Sequence, residues 1–160
     1  MKLATLCYLR QNGRTLMLHR VKKPDDIHEG KWNGLGGKFE SGETPEDCVV
    51  REVREESGLR VKTPQLKGVL TFPRFARGED WYVFVFTAQK FTGRMKASCE
   101  GNLKWIEDSK LTELNLWEGD RIFLRHLGKN SFFSGSFLYR DGRLISHKMT
   151  VYGKPGRLHE

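Results

Sequence analysis

No hydrophobic run in this 160-residue chain is long enough to cross a bilayer as a helix. The longest, Trp81 to Ala88, falls far short of the roughly 20 residues such a span needs. Arg10 interrupts the N-terminal segment before the apolar core of a signal peptide could form. Cysteine is scarce too. Cys7, Cys48 and Cys99 are odd in number and far apart, and no metal-type spacing links them. A reduced, cytoplasmic protein is therefore expected, with no membrane partner. The five histidines show neither nucleophile pairing nor metal spacing, and His19 reads as an ordinary strand residue. No Gly-x-Ser-x-Gly elbow is present. No repeat, linker or composition shift divides the chain, so residues 1–160 are expected to form one domain, with residues 153–160 as an unstructured tail.

What is present suits a packed interior. The chain is 38% hydrophobic and carries four Trp and ten Phe. Its net charge of +8 comes from 28 basic and 20 acidic residues. Such a field attracts polyphosphate, binds nucleic acid, or merely aids solubility. The basic residues form no run and interleave with no aromatic motif, so a nucleic-acid polymer is not expected as partner.

Alternation and turn signals give an α/β order. Leu3 to Leu9 and Thr15 to Arg20 read as strands joined at Asn12-Gly13. Val21 to Gly30 is a polar loop, and Trp32 to Lys38 leads into a helix. Leu66 to Phe72, Trp81 to Ala88 and Leu103 to Ile106 read as strands. Asp120 to Leu127 is a short helix with Ile122, Phe123 and Leu127 on one side. Phe132 to Tyr139 and Leu144 to Val151 form a last hairpin around Asp141-Gly142.

The densest information lies between Gly37 and Leu59. Thr44-Pro45-Glu46-Asp47 matches a capping box with Pro at the first helical position, and Gly58 suits the stop. At about 100° per residue, Glu52, Glu55 and Glu56 share one face. Val49, Val50 and Val53 form an adjoining core stripe. Arg51, Arg54 and Asp47 fall on the remaining, solvent-facing side. Like charges at this spacing repel, and a surface helix carrying acids for solubility is the ordinary alternative. The glycine-rich Gly34-Leu35-Gly36-Gly37-Lys38 run just before it, and Glu43 at the helix entrance, favour a cation site instead. Oxygen ligands at this density suit Mg²⁺, with Mn²⁺ as a substitute. Other phosphate motifs fail here. Trp32 and Phe39 stand where a P-loop needs Gly and Ser or Thr, and Phe39 replaces the third glycine of a dinucleotide fingerprint.

The segment Gly37, five residues, Glu43, seven residues, Arg51-Glu52-Val53-Arg54-Glu55-Glu56-Ser57-Gly58-Leu59 resembles the Nudix box at every fixed position. The resemblance implies an α/β fold, an α/β/α sandwich with a mixed sheet and the box as a loop–helix–loop. It implies a hydrolase of nucleoside diphosphate derivatives that uses Mg²⁺. Carried over by position, Glu52, Glu55, Glu56 and the Gly37 carbonyl resemble metal ligands, and Arg51 resembles a structural arginine paired with Glu43. Glu100 resembles an acid that reaches the metal from a loop. Catalysis is then expected from Glu52, Glu56 and Glu100, with Glu52, or alternatively Glu100, taking a proton from water.

Two further patches are similar to the MutT/MutX-type subgroup, which removes oxidised purine nucleotides. They are Trp32-Asn33-Gly34-Leu35-Gly36-Gly37-Lys38 and Trp117-Glu118-Gly119-Asp120. The resemblance implies hydrolysis of a triphosphate such as 8-oxo-dGTP at the β-phosphorus, giving monophosphate and pyrophosphate. Asn33 supplies a donor and an acceptor for a base edge. Asp120 supplies a carboxylate, or a donor if buried and protonated, or else it caps the following helix. Trp117 stacks on the base or belongs to the core. One departure stands out: Gly119 replaces the first of two adjacent acids in this motif. Lys38, Lys23 and Arg20 are phosphate contacts or plain surface charge. The partner implied is a nucleotide, and a monomer or weak dimer is expected. Ordinary NTPs, dinucleoside polyphosphates, ADP-ribose or a capped RNA end remain as other substrates, and a non-enzymatic nucleotide sensor as a further role.

Overall fold

The computed structural model describes residues 1–153, so the expected tail lies, after Gly153, outside the described residues. Strands β1 (Lys2–Gln11) and β2 (Arg14–His19) form a hairpin. Asn12 and Gly13 close it at φ 54° and 73°, the left-handed pair that matches the twist of a tight hairpin. β3 (Trp32–Asn33) pairs with the end of β2. Helix α1 (Pro45–Ser57) follows, then β4 (Arg60–Lys62), β5 (Gln65–Ala76), β6 (Glu79–Ala88), β7 (Lys90–Thr92) and β8 (Asn102–Glu107). Helix α2 (Glu118–Phe123) continues as a 3₁₀ turn over Leu124–His126, and β9 (Phe132–Arg140) and β10 (Arg143–Tyr152) end the described chain. The main sheet runs β10-β9-β5-β6-β1-β2-β3, with β8 also paired to β2. It is mixed, because β1 with β6 and β5 with β9 are parallel while the other neighbours are antiparallel.

Period-two alternation builds the two cores. Cys7 and Leu9 of β1, Leu16 of β2 and Phe86 of β6 pack with Val49 and Val53 of α1 on one face. Tyr8, Met17 and Val85, each one position away, pack with Phe123, Leu124 and Leu127 on the other. Helices thus cover both faces, which is the expected α/β/α sandwich. Each fully buried aliphatic side chain contributes about 1.5–3 kcal/mol. Among the described residues no helix is long and apolar enough to cross a membrane.

Three features were not legible. β4 and β7 form a separate two-stranded ribbon, each with too few residues to show a period. A 3₁₀ helix spans Asp108–Glu113. β5 runs past Phe72 to Ala76 through an irregular pairing in which Arg74 has φ 45°. Simple alternation puts Phe72 and Phe75 on opposite faces. The bulge re-aims the strand, and the two rings meet at 5.5 Å.

The helix boundaries follow their caps. Thr44 Oγ1 accepts the Asp47 N–H at 3.0 Å, and the Asp47 carboxylate accepts the Thr44 N–H at 3.1 Å. Gly58 ends the helix at φ 80°. One assignment needs correction: Arg51 does not face solvent. Its long stem lets the guanidinium turn back to Glu43 in a two-pronged pair at 2.7 and 2.9 Å. It also donates to the Lys38 carbonyl at 3.0 Å, so the loop before the helix is tied to the helix itself.

Two outcomes are expected. Thr44→Ala removes one reciprocal cap and should lower stability by about 1 kcal/mol, seen as a lower urea midpoint with an unchanged slope. The hydrogen bonds from Arg51 and from the Glu40 N–H hold the Glu43 carboxyl down at about 2, against an ordinary 4.5. A carboxyl lowered by folding stabilises fully above its unfolded value, and that share drains away as pH falls toward the folded one. Glu43→Gln should therefore be less stable than wild type near neutral pH, and the difference should shrink between about pH 4.5 and pH 2 in acid-unfolding curves.

Candidate active site

The chain before α1 runs extended beside β1. Leu35 exchanges both backbone hydrogen bonds with Cys7, and the Phe39 N–H reaches the Leu3 carbonyl. Residues 35, 37 and 39 thus turn their peptide groups to β1, and residues 36 and 38 turn theirs away. The Gly37 carbonyl accepts the Thr5 N–H at 2.9 Å, so it points into the sheet. This corrects the expectation for Gly37 as a ligand. The neighbouring Gly36 faces α1, where its N–H reaches Glu56 Oε1 at 3.3 Å. No side chain fits at 36, since a Cβ would stand 2.0 Å from the Thr5 carbonyl oxygen. At 37 a Cβ would stand 2.4 Å from the Glu52 carboxyl group, so this glycine lets Glu52 lie flat on the loop.

The carboxylates occupy different environments. Glu56 is 9% exposed, and its Oε2 has no hydrogen-bond partner among the described residues. Burial, then the charge of Glu100, pushes its carboxyl up to about 8. Glu52 is raised as well, chiefly by burial, although Arg51 opposes this at 2.8 Å. Glu55 is exposed and pairs with Arg51 at 3.3 Å. Glu100 projects from the loop before β8 and meets Arg20 Nη1 at 3.3 Å and Lys23 Nζ at 3.2 Å. Arg20 in turn holds Asp26 at 2.7 and 2.9 Å. As they stand, no three His, Cys, Asp or Glu side chains converge on one point among the described residues, because Arg51, Arg20 and Lys23 draw the acids apart.

A divalent cation nevertheless fits this donor set. A buried carboxylate oxygen without a partner, in a group destabilised by two like charges, is what a hard cation relieves. Glu52 and Glu100 are the acids whose charge Glu56 feels, and Glu55 lies at the exposed end of the same helix face.

A second cluster is aromatic. Trp117 meets Phe75 at 5.0 Å, Tyr139 at 5.2 Å and His28 at 5.7 Å between ring centres. Lys31 Nζ lies 5.2 Å from the Trp117 ring centre. Asp120 is buried next to this cluster, and burial pushes its carboxyl up to about 7. It does not cap α2, whose first turn carries no side-chain cap. Tyr8, in the core near Asp120, has a buried hydroxyl without a partner among the described residues. The glycine at 119 has a steric reason. Its N–H donates to the Tyr139 hydroxyl at 2.6 Å, and a Cβ there would stand 2.6 Å from the Phe137 ring. Asn33 is half-buried on β3, opposite Leu18. Lys38 is elsewhere: its Nζ sits over the Trp81 ring at 5.5 Å, away from Arg20 and Lys23.

Sequence reading missed His28, Phe72, Phe75, Tyr139 and Tyr8. The Phe72-Pro73-Arg74-Phe75 step was the available signal, since a proline inside a strand marks an edge or a bulge. Two open surface concavities, lined in part by Arg10, Gln89 and Gly128, hold none of these residues.

The fold has counterparts among known proteins. Residues 2–127 match the NUDIX domain model. The chain is 34% identical to a Bacillus subtilis protein named uncharacterised Nudix hydrolase YvcI, over 91% of this chain and 92% of that one. It is 33% identical to a Danio rerio protein named oxidized purine nucleoside triphosphate hydrolase, over 92% and 94%. The crystal structure of a MutT protein from Bacillus halodurans superposes with a TM-score of 0.82 at 34% identity, covering 93% of this chain and 97% of that one. With its box on α1 and a family match over residues 2–127, the chain belongs to the Nudix hydrolases, enzymes that cut phosphoric anhydrides.

Proposed function

We propose that this Nudix hydrolase is a Mg²⁺-dependent pyrophosphohydrolase of oxidised purine nucleoside triphosphates such as 8-oxo-dGTP, working in the cytoplasm as a monomer or weak dimer. Its product pair is the nucleoside monophosphate and pyrophosphate, and its role is to keep damaged precursors out of DNA. The observation that carries this reading is Asp120. A carboxyl buried beside the aromatic cluster, and pushed up to about 7 by that burial, can accept or donate a hydrogen bond at neutral pH. 8-Oxoguanine differs from guanine by a C8 carbonyl and an N7–H donor. A buried polar group that only one base satisfies discriminates strongly between them. Relatives named as oxidized purine nucleoside triphosphate hydrolases, similar along almost the whole chain, support the same substrate class.

In this mechanism Glu52, Glu55, Glu56 and Glu100 hold the ion, and the backbone of Gly36 borders the same space. Held there, the ion supplies neutralisation of the polyphosphate and polarisation of its phosphorus–oxygen bonds. Arg20 and Lys23, the two cations beside Glu100, would meet the outer phosphates. Trp117, Asn33 and Asp120 hold the base. Water attacks the β-phosphorus, the bond to the α-phosphate oxygen breaks, and the monophosphate leaves. Glu52, with Glu100 as the alternative, takes the proton from that water.

A nucleotide panel with Mg²⁺ tests the substrate. kcat/KM for 8-oxo-dGTP should exceed that for dGTP by at least about tenfold, which is about 1.4 kcal/mol of discrimination. Equal values would leave the hydrolase and remove the oxidised-purine reading. Glu56→Gln keeps the shape of the side chain and removes its charge. It should fold as wild type by circular dichroism and lose most turnover, by about a hundredfold or more.

A further inference from the structure

His28 lies in the polar loop between β2 and β3, a segment with no regular structure of its own. Three observations fix its place. Its Nδ1 accepts the Trp117 indole N–H at 2.8 Å. Its ring stacks on Phe75 at 5.9 Å. Its backbone N–H donates to Asp26 Oδ1 at 3.1 Å, while Arg20 grips the other Asp26 oxygen. An imidazole that accepts at Nδ1 carries its proton on Nε2 when neutral. Burial and the nearby Arg20 charge favour that neutral form. A chain of polar contacts therefore runs from Glu100 to Arg20, Asp26, His28 and Trp117, with the His28 backbone N–H as the link to Asp26.

We propose that His28 is a positioning residue for the base: it holds the Trp117 indole by its N–H, and the Arg20–Asp26 pair holds His28. An indole donor has one proton and no acceptor. Without His28 the indole loses its one side-chain hydrogen bond among the described residues, since the Phe75, Tyr139 and Lys31 contacts act on its faces and edges without direction. A base seated against Trp117 then binds to a wall that is less well ordered. This inference rests on the base pocket of the proposed function, but not on which purine fills it.

The test is calorimetric binding of 8-oxo-dGMP, dGMP and inorganic pyrophosphate, with Mg²⁺, to wild type, His28→Leu, His28→Asn, Trp117→Phe and the His28→Leu/Trp117→Phe double variant. His28→Leu should weaken 8-oxo-dGMP binding by about five- to tenfold, the worth of one net hydrogen bond, and leave pyrophosphate unchanged. His28→Asn carries an amide oxygen near the Nδ1 position and should recover to within about twofold. In the Trp117→Phe background, which has no indole N–H, the His28→Leu change should add almost nothing. Monophosphate binding unaltered in His28→Leu would overturn the assignment. So would losses that simply multiply in the double variant, or an equal loss for pyrophosphate. Equal wild-type affinity for the two monophosphates would remove the oxidised-purine reading instead, and the same ratios taken with dGMP would then decide the role of His28.

Discussion

Crowded negative charge is the constraint on which this structure turns. Glu52, Glu55 and Glu56 lie within five positions of one helix, with Glu43 and Glu100 brought in from loops. Carboxylates this close repel unless a positive charge stands among them. Arg51 is the built-in answer. Its guanidinium spreads five donors in a plane and meets Glu43, Glu52, Glu55 and the Lys38 carbonyl together. The same group thereby ties the glycine loop to the helix. Glu56 makes no pair with it, and it is Glu56 that keeps a buried oxygen without a partner among the described residues. The part of the cluster the protein cannot neutralise by itself is the part suited to a hard cation.

How much could be read in advance depends on how local each signal is. The caps of α1, the hairpin turns at Asn12-Gly13 and Asp141-Gly142, and the period-two alternation of β1 and β6 act over a few residues, and all were legible. The glutamates were legible for the same reason, being set on one helix at fixed spacing. What failed to show depends on distant parts of the chain. The Arg51–Glu43 pair was legible only through the family resemblance, because helix spacing alone sets Arg51 on the solvent side and the loop acid eight positions earlier comes within reach only after folding. The carbonyl of Gly37 was spent on β1, which no spacing within the box announces. The aromatic pocket needs β5, β9, α2 and a loop to meet, and one of its rings arrives only through a bulge.

Glu100, Arg20, Asp26, His28 and Trp117 give the two halves of the site a common frame. The acids and the aromatic rings sit on different elements, yet Arg20 touches Glu100 on one side and Asp26 on the other. A change that moves Glu100 therefore alters what Arg20 pairs with. The loop that carries His28 hangs from that same arginine.

The C-terminal hairpin has a separate consequence. β9 and β10 lie past residue 127, where the match to the family model stops, yet Tyr139 closes the pocket and its hydroxyl takes the N–H of Gly119. β9 docks beside β5 because Gly68 leaves room for Phe133, where a Cβ would stand 2.4 Å from that ring. The aromatic cluster and the glutamates thus lie on stretches of polypeptide that can diverge at different rates. Exchanging the hairpin alone would redraw the cavity's ceiling while every glutamate stayed in its place.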